Sequence, residues 1–167
     1  MIRRALADDA AAIARIYNHH VERTTVTFEE LPVSIEEMAR RIRAVTVDCP
    51  WLVAEEEAVV GYAYASPWKP RSAYRHTVEE SVYVDSEHLR QGHGLALCSA
   101  LLDRLREMSV HSVIAGIALP NEASIAFHER LGFEKVAHFR EVGRKFDRWI
   151  DVGYWEYRFR AHKEDAE

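Results

Sequence analysis

Two cysteines in 167 residues, Cys49 and Cys98, are too few for a disulfide framework. Cys98 shares helical spacing with Leu101, Leu102 and Leu105, so it reads as a small apolar residue on a helix face. No apolar run approaches bilayer-crossing length, and the opening MIRRALADDAAAI meets acidic residues before any apolar stretch develops, unlike a signal peptide. A cytoplasmic location is expected. A positive surplus is also lacking. The net charge of −5 gives no general attraction to nucleic acid or anionic lipid, so neither nucleic acid nor a membrane is expected as a partner. Repeats, low-complexity tracts and linkers are missing as well. One domain over residues 1–160 is therefore expected, with the tail AHKEDAE, 161–167, frayed. What remains is a chain with 48% hydrophobic residues, long enough to bury a core and too apolar to be disordered.

The chain is organised around Thr77 to Leu102, TVEESVYVDSEHLRQGHGLALCSALL. Val82, Tyr83 and Val84 favour a strand, and Asp85 and Ser86 suit a turn. The period then changes to that of a helix from Leu95. Between them, Arg90-Gln91-Gly92-His93-Gly94 sets two glycines at a helix start, where bare amides and the helix dipole can receive an anion such as a pyrophosphate. Of the two adjacent strand carboxylates, Glu79 and Glu80, alternation sends one inward with its neighbours and the other outward; the sequence does not say which.

The rest reads as support. Ile2 to Leu6 is a short strand, and Asp8 or Asp9 caps a helix carrying Ala12, Ile13, Ile16, Tyr17 and Val21. Thr24 to Phe28 is β-branched and expected to be extended. Ser34 with Glu37 has the form of a capping box, opening a helix that buries Met38 and Ile42. Trp51–Ala54 and Val59–Ala65 are strands joined by an acidic hairpin, and Pro67 to Arg71 is a cationic, aromatic loop. Ser112–Ala118 is a buried strand, and Asn121–Leu131 a helix closed by Gly132. Lys135–Val142 and Val152–Phe159 are strands separated by 143–149. The order β-α-α-β-β-β-α-β-α-β-β indicates an α/β domain with a mixed sheet flanked by helices.

These residues support a family resemblance. The VYV strand, the RQGHG loop and NEASIAFHERLGF are similar to the GNAT fold of acetyl-CoA-dependent N-acetyltransferases. TTVTFEELP, PWLVAEEEAVVGYAYASPWKPRSAY, TVEESVYV, REVGRKFDRW and DVGYWEYRF narrow the resemblance to phosphinothricin N-acetyltransferases and their methionine sulfoximine-acetylating relatives. The GNAT fold implies a mixed, mostly antiparallel twisted sheet. It also implies acetyl-CoA as co-substrate, no metal, and a homodimer using some of Trp149, Tyr154, Trp155 and Tyr157. Two positions depart from the pattern. Leu89 replaces the first Gln/Arg of the loop, and Cys98 replaces a helix tyrosine near the cofactor.

By the resemblance, Val82, Tyr83 and Val84 pair with the pantetheine arm, Arg90, Gln91, Gly92, His93, Gly94 and Leu95 take the pyrophosphate, and Asn121 also touches the cofactor. Glu79 is the candidate base for the amine, since an α-ammonium must lose a proton before attack. His128 is the candidate proton donor or shuttle, against the plainer alternative of a histidine packed on Phe127 and Phe133. Lys69, Arg71 and Tyr74 are expected to face an anionic substrate group, with Phe28 and Val152 as pocket walls. Lys145 and Arg148 are further candidate anion contacts. The expected activity is N-acetylation of the α-amine of a small anionic amino acid. Acetylation of another small amine or a protein amine, and a non-catalytic acetyl-CoA sensor, stay open.

Overall fold

The computed structural model describes residues 1–159. The tail expected to fray, 161–167, lies outside the described residues. The elements are β1 (Ile2–Arg4), α1 (Ala10–Arg23), α2 (Ile35–Val45), β2 (Trp51–Glu55), β3 (Val59–Pro67), β4 (Thr77–Val84), α3 (His93–Arg106), β5 (Ser112–Ala118), α4 (Glu122–Arg130), β6 (Glu134–Lys145) and β7 (Arg148–Arg158). The seven strands form one sheet in the order β1-β2-β3-β4-β5-β7-β6. Only β4 and β5 pair in parallel; the other neighbours are antiparallel. The architecture is the expected mixed, mostly antiparallel α/β arrangement.

Both faces of the sheet are covered, which is why β2 reads as a continuous apolar run rather than an alternation. Leu52 and Ala54 join the core beneath α3, together with Leu97, Cys98, Leu101 and Leu105. Trp51 and Val53 join the opposite core with Ile13, Ile16 and Val21 of α1 and Met38 and Ile42 of α2. Cys98 is fully buried in the first of these, as a small apolar residue would be.

Local chemistry explains most boundaries. Ser34 caps α2, its Oγ accepting from the Glu37 amide at 3.1 Å. The Glu37 carboxylate does not complete the box; it accepts from Arg40 and Arg41 instead. Asp9 stands at the start of α1 without capping it. Its carboxylate accepts from the Leu6 amide at 2.7 Å and from both terminal nitrogens of Arg3, which also reaches Glu55. That knot ties β1, β2 and the entrance of α1 together.

Two expectations are corrected. Thr24 to Phe28, expected to be extended, instead bends at Thr25, Val26 and Thr27. Its backbone is held from below by Lys145, whose Nζ donates to the Thr27 carbonyl at 2.8 Å. The supposed loop 143–149 is mostly strand: β6 runs to Lys145 and β7 begins at Arg148, joined by Phe146-Asp147, both with positive φ (50° and 56°). Such a two-residue turn matches strand twist, but it is usually announced by Asn-Gly, which this sequence does not place there. Glu141, also at positive φ, lies in the irregular register between Phe139 and Gly143.

Gly153 of β7 leaves room for the indole of Trp155, 1% exposed; a Cβ there would meet Cζ3 at 2.4 Å and Cη2 at 2.8 Å. Gly153→Ala is expected to cost roughly 1–3 kcal/mol by overpacking. Thermal unfolding followed by circular dichroism should show a Tm lowered by several degrees; an unchanged Tm would mean that the indole tilts away freely.

Candidate active site

The β4–β5 ladder runs from Thr77↔Ser112 to Glu80↔Ala115 and stops. β4 continues to Val84, still paired with β3, while β5 continues to Ala118, paired with β7. The two strands therefore part, and a cleft opens between Ser81, Val82 and Tyr83 on one side and Gly116, Ile117 and Ala118 on the other. Asn121, Ser124 and His128 close it from α4. Strand backbone that has lost its neighbour offers hydrogen-bonding groups to a ligand arm laid between the strands.

The C-terminal end of β4 leads through a short 3-10 turn, capped by Asp85 on the Glu87 amide at 2.9 Å, into the glycine loop. Asp85 is buried and paired with Arg15. Arg90 (φ 63°) and Gly92 (φ 85°) both adopt left-handed backbone, and Gly92 is the N-cap of α3 with no side chain capping the first turn. The amides of His93, Gly94 and Leu95 thus head the helix without a side-chain partner, at the positive end of its dipole. A Cβ on Gly92 would meet nothing within 4 Å, so the space above the loop is open. Arg90 and Gln91 are exposed beside it. Cleft and loop together fit an elongated ligand carrying a pyrophosphate.

The two adjacent glutamates of β4 face opposite ways. Glu80 shares its face with Val78 and Val82, both packed on the α3 core. It is 4% exposed, and its Oε1 lies 2.5 Å from Nε2 of His128, itself 3% exposed. Glu79 points to the other face, half-buried. Its Oε1 and the ring of Tyr154 both approach Gly116, each 3.2 Å from where a Cβ would stand. Burial holds the Glu79 carboxyl above its usual range, with nearby Lys69 pulling it back down and Glu80 pushing it up. Burial also raises the Tyr154 phenol, as does Glu79.

Around Glu79 the expected substrate residues are placed unevenly. Lys69 lies with its Nζ 4.6 Å from the Trp68 ring centroid, and Trp68 packs edge-on against Tyr154, which in turn meets Phe139. Val152 is buried in β7, opposite Ala118 of the cleft and Phe139. Phe28 is half-exposed with its ring over Gly143, where a Cβ would come within 2.2 Å of it. Arg71 and Tyr74 are exposed on the loop before β4.

Lys145, an expected anion contact, is corrected. It is 2% exposed and donates to backbone carbonyls, so it is a fastening of the 24–28 segment. Glu79 and His128 are not brought into contact, because they hang from opposite faces of the sheet. His128 is both packed and bonded: it stacks on Phe127 at 4.2 Å, meets Phe133 at 5.0 Å, and its Nδ1 donates to the Ser124 carbonyl at 2.7 Å. Asn121 caps α4, its Oδ1 accepting from the Ser124 amide at 3.2 Å.

From the sequence, Glu80 is only one of two adjacent strand carboxylates and Tyr154 only a dimer aromatic, and neither of them, nor Gly116, has an expected place in the site. Glu80 had a readable signal, since the apolar residues at i−2 and i+2 mark its face. Tyr154 and Gly116 had none, because only the β5–β7 register makes them neighbours.

The chain belongs to the GNAT acetyltransferase family: residues 2–153 match the acetyltransferase (GNAT) domain. It is an N-acetyltransferase similar to the phosphinothricin N-acetyltransferase of Streptomyces viridochromogenes, at 43% identity over 95% of this chain and 87% of that protein. It is also 39% identical to the L-methionine sulfoximine/L-methionine sulfone acetyltransferase of Salmonella typhimurium, over 96% of this chain and 95% of the relative. A solved phosphinothricin acetyltransferase from Sinorhizobium meliloti, in complex with acetyl-CoA, superposes with a TM-score of 0.92 at 38% identity, covering 95% of this chain and 88% of that one. No helix among the described residues is long and apolar enough to cross a membrane.

Replacing Gly92 by valine is expected to weaken acetyl-CoA binding about tenfold. A β-branched residue at that φ costs roughly 1–2 kcal/mol, so the free loop relaxes and must be re-formed on binding. Titration calorimetry reads the loss; unchanged affinity would remove the loop from the binding site.

Proposed function

We propose that the protein N-acetylates the α-amine of a small anionic amino acid such as phosphinothricin or methionine sulfoximine, with acetyl-CoA as co-substrate. The observation that carries this reading is the half-buried Glu79 beside Lys69 at the fork where β4 and β5 part. A carboxylate base and a cation at one mouth suit an ammonium nucleophile with an anionic tail. The names of the relatives support the same substrate class.

Acetyl-CoA supplies an activated acetyl group when bound. Val82, Tyr83 and Val84 would hold its arm along the unpaired reach of β4, and their amides would polarise the carbonyl. Arg90 to Leu95 would take the pyrophosphate, and Asn121 would meet the cofactor from α4. Glu79 accepts the proton that the α-ammonium must shed, and His128 supplies a proton to the leaving sulfur from the other side of the fork. Lys69, Arg71 and Tyr74 receive the substrate anion, with Phe28 and Val152 as walls. Residues 1–160 act as one catalytic domain in the cytoplasm. A homodimer is supported by the apolar side chains the β6–β7 hairpin leaves outside, Val136, Phe139, Val142, Phe146 and Trp149. Of the aromatics expected at that contact, Trp155 is core and Tyr154 belongs to the site.

Thiol release from acetyl-CoA should be measured with phosphinothricin, methionine sulfoximine, methionine sulfone, glutamate and a lysine peptide. Turnover confined to the first three is the expected result; turnover only with the peptide would overturn the substrate class. Glu79→Gln should lose about 10²–10⁴-fold in rate while keeping acetyl-CoA affinity.

The pH dependence follows from the sign of the shift. A base works only when deprotonated, so kcat/KM for the amine should fall as pH drops through the raised Glu79 value, above the ordinary carboxylate range near ~4.3. Because Lys69 lowers that value, Lys69→Met should move the acid limb to higher pH. A limb that stays in place would detach Lys69 from Glu79.

A further inference from the structure

Neither the core nor the proposed reaction accounts for a glutamate at position 80. Val78 and Val82, two residues to either side, place the same apolar side chains on that face. Glu80 Oε2 is buried without a hydrogen-bond partner, which costs stability that an apolar residue would not forfeit. Its other oxygen is committed to His128 at 2.5 Å. Both residues line the cleft between the parted strands.

We infer that Glu80 is a positioning residue that loads His128 with the proton it donates into the cleft, so that the two side chains work as one proton-carrying unit. This rests on the acid role proposed for His128. The proton count follows from the acceptors. The Ser124 carbonyl, 2.7 Å from Nδ1, can only accept, so Nδ1 carries its hydrogen. A neutral imidazole in that tautomer has a bare Nε2. The short approach to Oε1 therefore requires one more proton, and Glu80 is what keeps it there. Without Glu80, both ring positions could be satisfied by a neutral histidine that has no acidic proton on the cleft side.

The surroundings isolate the pair. Phe127 and Phe133 cover the ring. From α3 the facing titratable group is Cys98, whose sulfur lies within 4.8 Å of the donor atoms of both residues. From α4 the Ser124 hydroxyl, a neutral group, lies 3.2 Å from Nδ1. Glu79 lies on the opposite face of the strand. In the reaction an S–H bond forms as the proton leaves the Nε2···Oε1 bond. The emptied pair takes up the second proton shed by the amine nitrogen, and Glu79 passes the first to solvent. The sum is one ammonium and one thioester consumed, with one amide, one thiol and one proton released.

The competing view is a mechanical clasp holding α4 on β4. Glu80→Gln separates the two, because its amide can donate to Nε2 and keep the ring in place while holding no transferable proton. Glu80→Gln, His128→Gln and the double variant would be assayed across the pH range, with calorimetric acetyl-CoA affinity and Tm measured alongside. The hydrogen-bonded proton would be sought by NMR of ¹⁵N-histidine-labelled protein.

The expected result is a loss of about 10²-fold in kcat for Glu80→Gln, with acetyl-CoA affinity and Tm kept and the shape of the wild-type pH profile changed. The double variant should be no slower than His128→Gln alone. A downfield, exchange-protected proton should be present in the wild type and missing in Glu80→Gln. Wild-type kcat and pH profile in Glu80→Gln, with His128→Gln impaired, would overturn the positioning role and leave the acid role of His128 intact. An unimpaired His128→Gln would overturn both. Absence of the downfield proton in the wild type would overturn the shared-proton pair whatever the rates.

Discussion

β4 and β5 are held together for four residues and then separate, and nearly everything that matters chemically depends on that separation. A parallel pair needs a crossover, here supplied by α3. The crossover helix must start near the C-terminal end of β4, which is also the end at which the strands part. The chain thereby brings three things to one place without any special contact: unpaired strand edge, a helix N-terminus and the glycine loop that joins them. Open α/β sheets bind ligands at the carboxyl ends of their strands for the same topological reason.

The sheet is buried on both faces, and this gives the fork a second property. Adjacent residues of β4 enter different environments, one beneath α3 and α4, the other among the aromatic side chains near α1 and β7. Two neighbouring carboxylates of the same residue type become a half-exposed group beside a lysine and a buried group locked to a histidine. In the proposed reaction, proton acceptance and proton donation are served from opposite sides of a single strand, with Glu80 and His128 lining the cleft. Such a division keeps the two groups from neutralising each other.

Much of the architecture was legible from residues alone. The buried strands, the capped α2, the glycine-started α3 and the helix closed by Gly132 follow from periodicity and capping chemistry acting over a few residues. The failures share a cause. Thr24 to Phe28 has β-branched composition, yet no strand lies beside it to pair with; Lys145, far away in sequence, holds its backbone instead. The β6–β7 turn places Phe146 at positive φ, a conformation imposed by the pairing of two long strands and not favoured by the residue itself. Local propensity yields wherever the sheet supplies the larger interaction.

The sequence by itself determined the class of protein. The glycine spacing, the strand before it and the helix after it specify an anion-binding unit because backbone geometry at those residues is a local matter, and the wider motifs carry the acetyltransferase family. The flanking valines of Glu80 mark its face in the sequence, but only the tertiary structure decided that His128 answers to Glu80 and not to Glu79, and that Tyr154 meets Glu79 over Gly116. Those facts depend on strand parity relative to a core and on register between β4, β5 and β7. Parity and register are set by packing against helices distant in the chain, so no short window of sequence contains them.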